Sequence, residues 1–455
     1  MKKIYLLQSF LLACVSVAQL FYIYEDIAEN LKDTWPPTNM SKTVNQSIFH
    51  KTFHENQGCG SLVNASSGLF NTWQFSVFKL IYRRLQHNPR RTMDPDKASL
   101  FFLPYDGGVD ALISSYDGRL LKSKCPRSGR AKHHLQSSVY LQRKEGRDHF
   151  IIFSVIQGVS SLNSPGCRAL YTETCALCKK LTIEVSYHKD SVTAAALPSS
   201  EKKKPRGSVF KYDPTWISIP YPSSFHYWEN SVDIPWKRQP RSREITAIFI
   251  GGGKILNAAS KTLRKRLRSQ CARHANCIWI DTGHQRTDFD VGKMLDYYRK
   301  SVFCLSPPGD SPTRKGLFDS ILAGCIPVVF DLYTLHDQYH WYIGAARQNI
   351  SVYIPIQDIL GTITASNKRN KNNKLLLDEE TSITKDFMEL LMDIPENEVQ
   401  QMQETIERIG WSLQYSIPPF LLVGNEVWSP PLPDAVDIML DRLFLSLTIS
   451  SNNST

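Results

Sequence analysis

The side chains with the most chemical content fall in one stretch, Ser301 to Phe330. An apolar run ending at Leu305 is followed by the loop Pro307 to Arg314, which holds Gly309, Ser311, Thr313 and the Arg314 guanidinium. An amphipathic segment, Lys315 to Ala323, is closed by Gly324, and the β-branched run Ile326 to Phe330 comes next. A loop of this kind lies outside the carboxyl end of a strand and at a helix N-terminus, where backbone N–H groups and the helix dipole favour an anion such as a phosphate. A second glycine-bearing strand end follows Ile245 to Ile250. There Gly251, Gly252 and Gly253 let a ligand approach the backbone closely, although GxGxxG is not met and a plain turn is the alternative. Two residues could move a proton. Asp106, in Pro-Tyr-Asp-Gly-Gly after the run Ala98 to Leu103, sits at a carboxyl strand end, where an Asp before Gly-Gly also serves in turns. His149, in Gly146-Arg147-Asp148-His149, opens the strand Phe150 to Ile156, where a histidine also serves as hydrogen-bonded scaffold.

The elements that must hold these residues follow from periodicity. Ile245 to Ile250, a helix with Leu263, Leu267 and Cys271 on one face, the strand Cys277 to Ile280, the segment Leu295 to Ser301 and then the opening unit make a Rossmann-like lobe. The helix carries Lys261, Arg264, Lys265, Arg266 and Arg268, read as a solvated face. Earlier, Trp73, Val77, Leu80, Ile81 and Leu85 fall at helical spacing and feed the run Ala98 to Leu103, ended by Pro104, an αβ unit of a parallel sheet. Ile217 to Pro222 reads as an edge strand, Tyr187 to Gly207 as a polar insertion, and Trp228 to Arg243 as a linker between lobes. Asn367 to Lys374 reads as a surface loop, and Ile383 to Leu391, Val399 to Ile409 and Asp434 to Leu443 as helices that return across the cleft.

Length and composition set the frame. A chain of 455 residues exceeds one ordinary core, and 42% apolar with 21% charged residues is a globular balance. The net charge of +11 favours anionic partners, while the lack of a basic aromatic motif speaks against nucleic acid. Lys2 and Lys3 precede an apolar run, Ile4 to Tyr24, about the ~20 residues a bilayer-crossing helix needs, with no small-residue cleavage pattern after it. It reads as an anchor with the rest of the chain in the lumen. Sequons at Asn39, Asn45, Asn64, Asn349, Asn452 and Asn453 agree with that compartment. Of ten cysteines, Cys14 falls in the anchor. Cys304 and Cys325 are expected to pair, one ending a strand and the other beginning the next, and Cys175-x-x-Cys178 reads as disulfide material rather than half a zinc site. The domains are then an anchor (1–24), a stem (25–51), a first lobe (52–240), a second lobe (241–395), C-terminal helices (396–445) and a disordered tail (446–455).

The second-lobe residues resemble those of exostosin-like glycosyltransferases. The match runs through Phe303-Cys304-Leu305, Pro308-Gly309-Asp310-Ser311, Thr313-Arg314, Leu317-Phe318-Asp319 and Ala323-Gly324-Cys325-Ile326-Pro327-Val328-Val329. Weaker pieces are Arg91-Thr92, Asp94-Pro95, Leu100-Phe101-Phe102-Leu103-Pro104, Gly146-Arg147-Asp148-His149 and Ile219-Pro220. The resemblance implies a GT-B type fold of two Rossmann-like lobes facing a cleft, a type II Golgi topology, a UDP-sugar donor, a glycan or glycoprotein acceptor, and inversion at the anomeric carbon. Charge on the departing diphosphate would fall to Arg314, the amides around Ser311 to Thr313 and the glycine loop, and the ribose to Asp319. No metal is assigned, since Asp94-Pro95-Asp96 and Asp288-Phe289-Asp290 spell DxD away from that loop. The acidic or His-Asp pair of many members is replaced by Ser154-Val155-Ile156-Gln157-Gly158. That departure leaves the base unassigned and keeps open a silent partner subunit, in a homo- or hetero-dimer, as the alternative.

Overall fold

The computed structural model describes residues 19–27, 58–116, 125–157, 165–185, 213–237, 243–252, 258–282, 290–361, 363–369, 375–379 and 384–452. The first lobe contains β1 (Phe21–Ile23), the hairpin β2 (Ser61–Asn64) and β3 (Leu69–Asn71), α1 (Val77–Gln86), β4 (Leu100–Asp106), α2 (Gly107–Tyr116), α3 (Pro126–Gln136), β5 (His149–Phe153), β6 (Lys179–Thr182) and β7 (Trp216–Ser218). Five of these strands form one sheet in the order β1-β4-β5-β6-β7, every pair parallel. Side chains alternate across it as the strand period of two requires. Leu100, Phe102, Phe150, Ile152 and Leu181 join one core, and Phe101, Leu103, Ile151 and Phe153 join another beneath α2 and α3.

The second lobe runs β8 (Ile245–Gly251), α4 (Ala258–Cys271), β9 (Cys277–Asp281), α5 (Val291–Lys300), β10 (Ser301–Ser306), α6 (Lys315–Leu322), β11 (Ile326–Val329) and β12 (Val352–Tyr353). Its five-stranded parallel sheet has the order β12-β11-β10-β8-β9. Strand β9 lies on one side of β8 and β10 on the other. The order therefore reverses at β8, and a crevice opens at the carboxyl ends of β8 and β10. Among the described residues the first sheet has no such reversal, because each strand lies beside the one before it in the sheet. This corrects the expectation of two Rossmann-like lobes: both sheets are parallel, but only the second is doubly wound.

The chain ends are more deeply built in than the sequence suggested. Phe21, Ile23, Tyr24 and Ile27 are buried, with Phe21 bonded to the register of Leu100. Hence the apolar run does not extend as an anchor to Tyr24, and the stem does not begin at Glu25, whose carboxylate pairs with Arg91 at 2.8 Å. The burial of alternate residues in β1 is a strand pattern that a uniformly apolar run does not reveal. Residues 1–18 lie outside the described residues, and among the described residues no helix is long and apolar enough to cross a membrane. Strand β4 continues through Pro104 to Asp106, with an irregular register between Leu103 and Asp106 that accommodates the missing proline N–H.

The expected linker is part of the core. Trp228 and Trp236 are buried, and Trp236 stacks edge-on against Trp411 so closely that a Cβ at Gly410 would lie 2.3 Å from its ring. The first three residues of the expected loop at 367–374 belong instead to β13 (Ile363–Arg369), which pairs antiparallel with β14 (Leu375–Glu379), and the rest lies outside the described residues. Beyond α7 (Glu396–Ile409), α8 (Ala435–Asn452) extends through most of the expected disordered tail. It docks on α1, where the fully buried Arg84 bonds Asp434 at 3.1 Å and Asp437 at 2.8 Å. Disulfides join Cys125 to Cys167, Cys271 to Cys277 and Cys304 to Cys325, and Cys175 and Cys178 are buried thiols.

Because β1 belongs to the sheet, a fragment beginning at Thr52 lacks a strand and its buried side chains. It is expected to be aggregated, or to lose at least ~3 kcal/mol in urea denaturation relative to a fragment beginning at Gln19, the scale of deleting one buried aromatic side chain.

Candidate active site

The carboxyl-terminal edges of the two sheets meet where the segment after β6 touches the loop after β10. Glu184 follows β6 and is 2% exposed. Its Oε2 accepts from the Ser311 hydroxyl at 2.9 Å and the Tyr221 hydroxyl at 3.0 Å, and its Oε1 accepts from the Thr313 N–H at 3.3 Å. Arg314 donates from Nη1 to Ser311 Oγ at 2.6 Å and to the Thr313 carbonyl at 2.8 Å. Burial pushes the Glu184 carboxyl up to about 7, against the pull of the Arg314 charge and the Ser311, Tyr221 and Thr313 hydrogen bonds. Its neighbours are pinned as well: Tyr339 donates to the Ile183 carbonyl at 2.6 Å, and Gln338 Oε1 accepts from the Val185 N–H at 3.0 Å and Ser218 Oγ at 2.7 Å.

The loop itself is shaped by close approaches. A Cβ on Gly309 would lie 2.1 Å from the Arg314 guanidinium, so glycine is what lets Arg314 fold over the loop. Arg264 of α4 donates to the Pro307 and Pro308 carbonyls, each at 3.1 Å, so this residue latches the loop rather than facing solvent freely. Helix α6 starts at Arg314 without a side-chain cap, which leaves its dipole available to an anion. Gly251 and Gly252 stand at the end of β8 across the switch point, and Gly253 lies outside the described residues. Arg314 and the Gly251-Gly252 pair thus stand beyond the carboxyl ends of the adjacent strands β10 and β8, whereas Ser311 and Thr313 are buried beneath, Ser311 donating to Glu184 and Thr313 donating its N–H to Glu184 and its hydroxyl to the Thr334 carbonyl at 2.8 Å.

The remaining expected site residues divide. Asp106 stands at the carboxyl end of β4 and is partly exposed. Its Oδ1 accepts from the N–H groups of Gly108 at 2.9 Å, Val109 at 3.1 Å and Ser154 at 3.3 Å, and its Oδ2 accepts from Ser154 Oγ. Burial pushes its carboxyl up to about 6, against those hydrogen bonds. His149 is at the opposite, amino end of β5 and is 1% exposed. Its nitrogens are taken by Asp148 at 2.8 Å and Tyr24 at 2.9 Å, and its ring stacks on Phe101, so it is scaffold and not a catalyst. Asp319 is also corrected: buried at 2% exposure, it accepts from Lys315 Nζ at 2.9 and 2.8 Å and from the Ser224 N–H at 2.7 Å. A ribose would have to displace Lys315, and the carboxylate serves as a tie between α6 and the segment after β7.

Among the described residues no cluster of three or more His, Cys, Asp or Glu could hold a metal. Asp94 caps its own turn through the Asp96 N–H at 3.0 Å, and Asp288 lies outside the described residues. Asn64 and Asn349 are exposed, whereas Asn39 and Asn45 lie outside the described residues. Sequence reasoning missed Glu184 and Gln338. The signal for Glu184 was present in Lys180-Leu-Thr-Ile-Glu184, an acid at the end of an apolar run, the same pattern that singled out Asp106.

The sequence model of the exostosin GT47 domain matches residues 22–368, most of the chain, and begins within β1. The chain belongs to the exostosin GT47 family of glycosyltransferases. It is 28% identical over 392 residues to the probable xyloglucan galactosyltransferase GT17 of Arabidopsis thaliana, spanning 85% of this chain and 74% of that protein. It is 27% identical over 318 residues to the xyloglucan-specific galacturonosyltransferase 1 of the same plant, over 68% of this chain and 43% of that one. Among solved structures, the S. aureus MnaA–UDP structure aligns with a TM-score of 0.32 at 11% identity over 73% of this chain and 88% of that chain, too distant to add to the family match. Within the exostosin GT47 domain, the crevice residues from Phe303 to Val329 and Asp106 all fall inside the matched span.

The raised Asp106 carboxyl has a consequence for stability. The folded protein holds a proton on Asp106 between its ordinary value of about 4 and about 6, which the unfolded chain has released. Its contribution to stability is therefore full below that window and is lost as pH rises through about 6. Measured by denaturant titration against Asp106→Asn, which cannot ionise, the wild type is expected to gain relative stability on going from about pH 8 to about pH 4.

Proposed function

We propose that this exostosin GT47 protein is an inverting glycosyltransferase that moves a galactosyl or galacturonosyl unit from a UDP-linked donor to a polysaccharide of the xyloglucan type. The observation that carries this reading is the convergence of Arg314, the uncapped start of α6 and the Gly251-Gly252 strand end at the switch point of the doubly wound sheet. A nucleotide diphosphate suits that convergence, because helix amides and a bidentate cation both favour phosphate oxygens. The named activities of the Arabidopsis relatives supply the sugar and the acceptor class.

The acceptor side is served by the first lobe. Glu184 is enclosed by donors from both lobes, while Asp106 stands partly exposed at the carboxyl edge of β4 with a raised carboxyl, the condition for a general base near neutral pH. Asp106 takes the proton of an acceptor hydroxyl as that oxygen bonds to the anomeric carbon from the face opposite UDP. The bond from that carbon to the β-phosphate oxygen breaks, and the electron pair leaves with UDP. Arg314 and the α6 amides stabilise the charge that develops there. The configuration inverts because attack and departure are in line. Exposed sequons at Asn64 and Asn349 and three disulfides support work in the Golgi lumen.

Arg314→Ala is expected to weaken UDP binding at least ~10-fold, read by calorimetry or by loss of the UDP-induced rise in Tm. Asp106→Asn is expected to keep UDP affinity and lower kcat by ~10²-fold or more with UDP-galactose or UDP-galacturonate and xyloglucan oligosaccharides. Wild-type protein that binds neither donor would overturn the proposed activity, and full turnover by Asp106→Asn would move the base elsewhere.

A further inference from the structure

Glu184 is a buried carboxylate placed between the lobes beside Arg314, and the mechanism above leaves it without a task. Its wiring is specific. Arg314 can only donate, so Ser311 Oγ accepts from it at 2.6 Å and turns its own single proton toward an acceptor. Two acceptors are in reach: Glu184 Oε2 at 2.9 Å and the Thr313 carbonyl at 3.4 Å. With Glu184 ionised, Ser311, Tyr221 and the Thr313 N–H all donate to it. With Glu184 protonated, Ser311 can turn its proton to the Thr313 carbonyl and accept from the carboxyl group instead. Both states are hydrogen-bonded, so neither leaves a buried polar group stranded.

We propose that Glu184 is a positioning residue that takes up a proton when the donor diphosphate binds at Arg314, so that one carboxyl group links donor binding to the contact between the lobes. This rests on the reading that a UDP-linked donor binds at Arg314. Among the described residues the charged or titratable groups facing Glu184 are Arg314, Tyr221 and Tyr339. The Tyr339 phenol is held well above its ordinary range by burial and by the Glu184 charge, so it stays neutral. Arg314 is then the cation that favours the ionised carboxylate against burial. A diphosphate engaging Arg314 brings negative charge to the same guanidinium and withdraws that support. A carboxyl already poised at about 7 then gains a proton from solvent. Linkage fixes the sign: UDP binds more tightly as pH falls through neutrality and less tightly as it rises.

The test is calorimetric titration of UDP into the wild-type protein near neutral pH in two buffers of different ionisation enthalpy. A net uptake of a fraction of a proton, up to about one per UDP, is expected, together with affinity that falls as pH rises from about 6.5 to about 8. Glu184→Gln is expected to bind UDP with no uptake and a flat pH dependence across that range. Should that variant fail to fold, Ser311→Ala, which removes the hydroxyl joining Arg314 to Glu184, is expected to bind UDP with reduced uptake. UDP binding without proton uptake in the wild type, or undiminished uptake in the folded variant, overturns the inference and leaves the proposed function standing. No UDP binding by the wild type overturns both.

Discussion

A buried carboxylate shared between two sheets is the constraint on which this architecture turns. Taking Glu184 out of water is costly, and the Arg314 charge together with donors from both lobes offsets it: Tyr221 from the first, and Ser311 and the Thr313 amide from the second. Those donors are productive only when the end of β6 and the loop after β10 are in register. Tyr339 and Gln338 then fix the backbone on either side of Glu184 by bonding Ile183 and Val185. The relative placement of the two crevice edges is therefore set by polar geometry, with the apolar contacts around it giving adhesion but little direction.

Everything further from that point serves to keep the lobes from being independent. Asp319 and Lys315 tie α6 to Ser224, and Tyr415 donates to the Pro220 carbonyl at 2.7 Å. Trp236, in what reads as a linker, is locked against Trp411 and Gly410. The last helix returns to the first lobe, where the buried Arg84 bridges the buried Asp434 and the partly exposed Asp437. Breaking such a buried pair strands a charge, whereas the intact pair mainly specifies where α8 sits.

The second lobe was largely legible in the sequence because its information is local. Strand, glycine- and proline-rich loop, helix and glycine stop follow one another within thirty residues, and Ser311, Thr313 and Arg314 are placed by that order alone. The first lobe was not, because its decisive facts are long-range. A run of apolar residues looks the same whether it enters a bilayer or a sheet edge, and only the pairing of Phe21 with Leu100 distinguishes them. His149 and Asp106 both adjoin strands, but function depends on which end, and the pattern of a strand does not by itself say that β5 starts at His149 while β4 runs past Pro104. Glu184 needed recognition of a four-residue strand whose partners lie in distant segments.

The difference in winding between the two sheets bears on the proposed division of donor and acceptor between them. Reversal of strand order at β8 splits the connections to either face and leaves a crevice at the carboxyl edge, a shape that encloses a compact, charged molecule and lets helix amides reach it. The first sheet adds each strand beside the last, so its carboxyl edge has no such split and presents Asp106, Ser154 and Glu184 in succession along neighbouring strand ends. An extended edge of that kind can line one side of a groove along which a polymer lies. The proposed function, with its small anionic donor at the reversing sheet and its polymer acceptor along the other, is consistent with these two topologies.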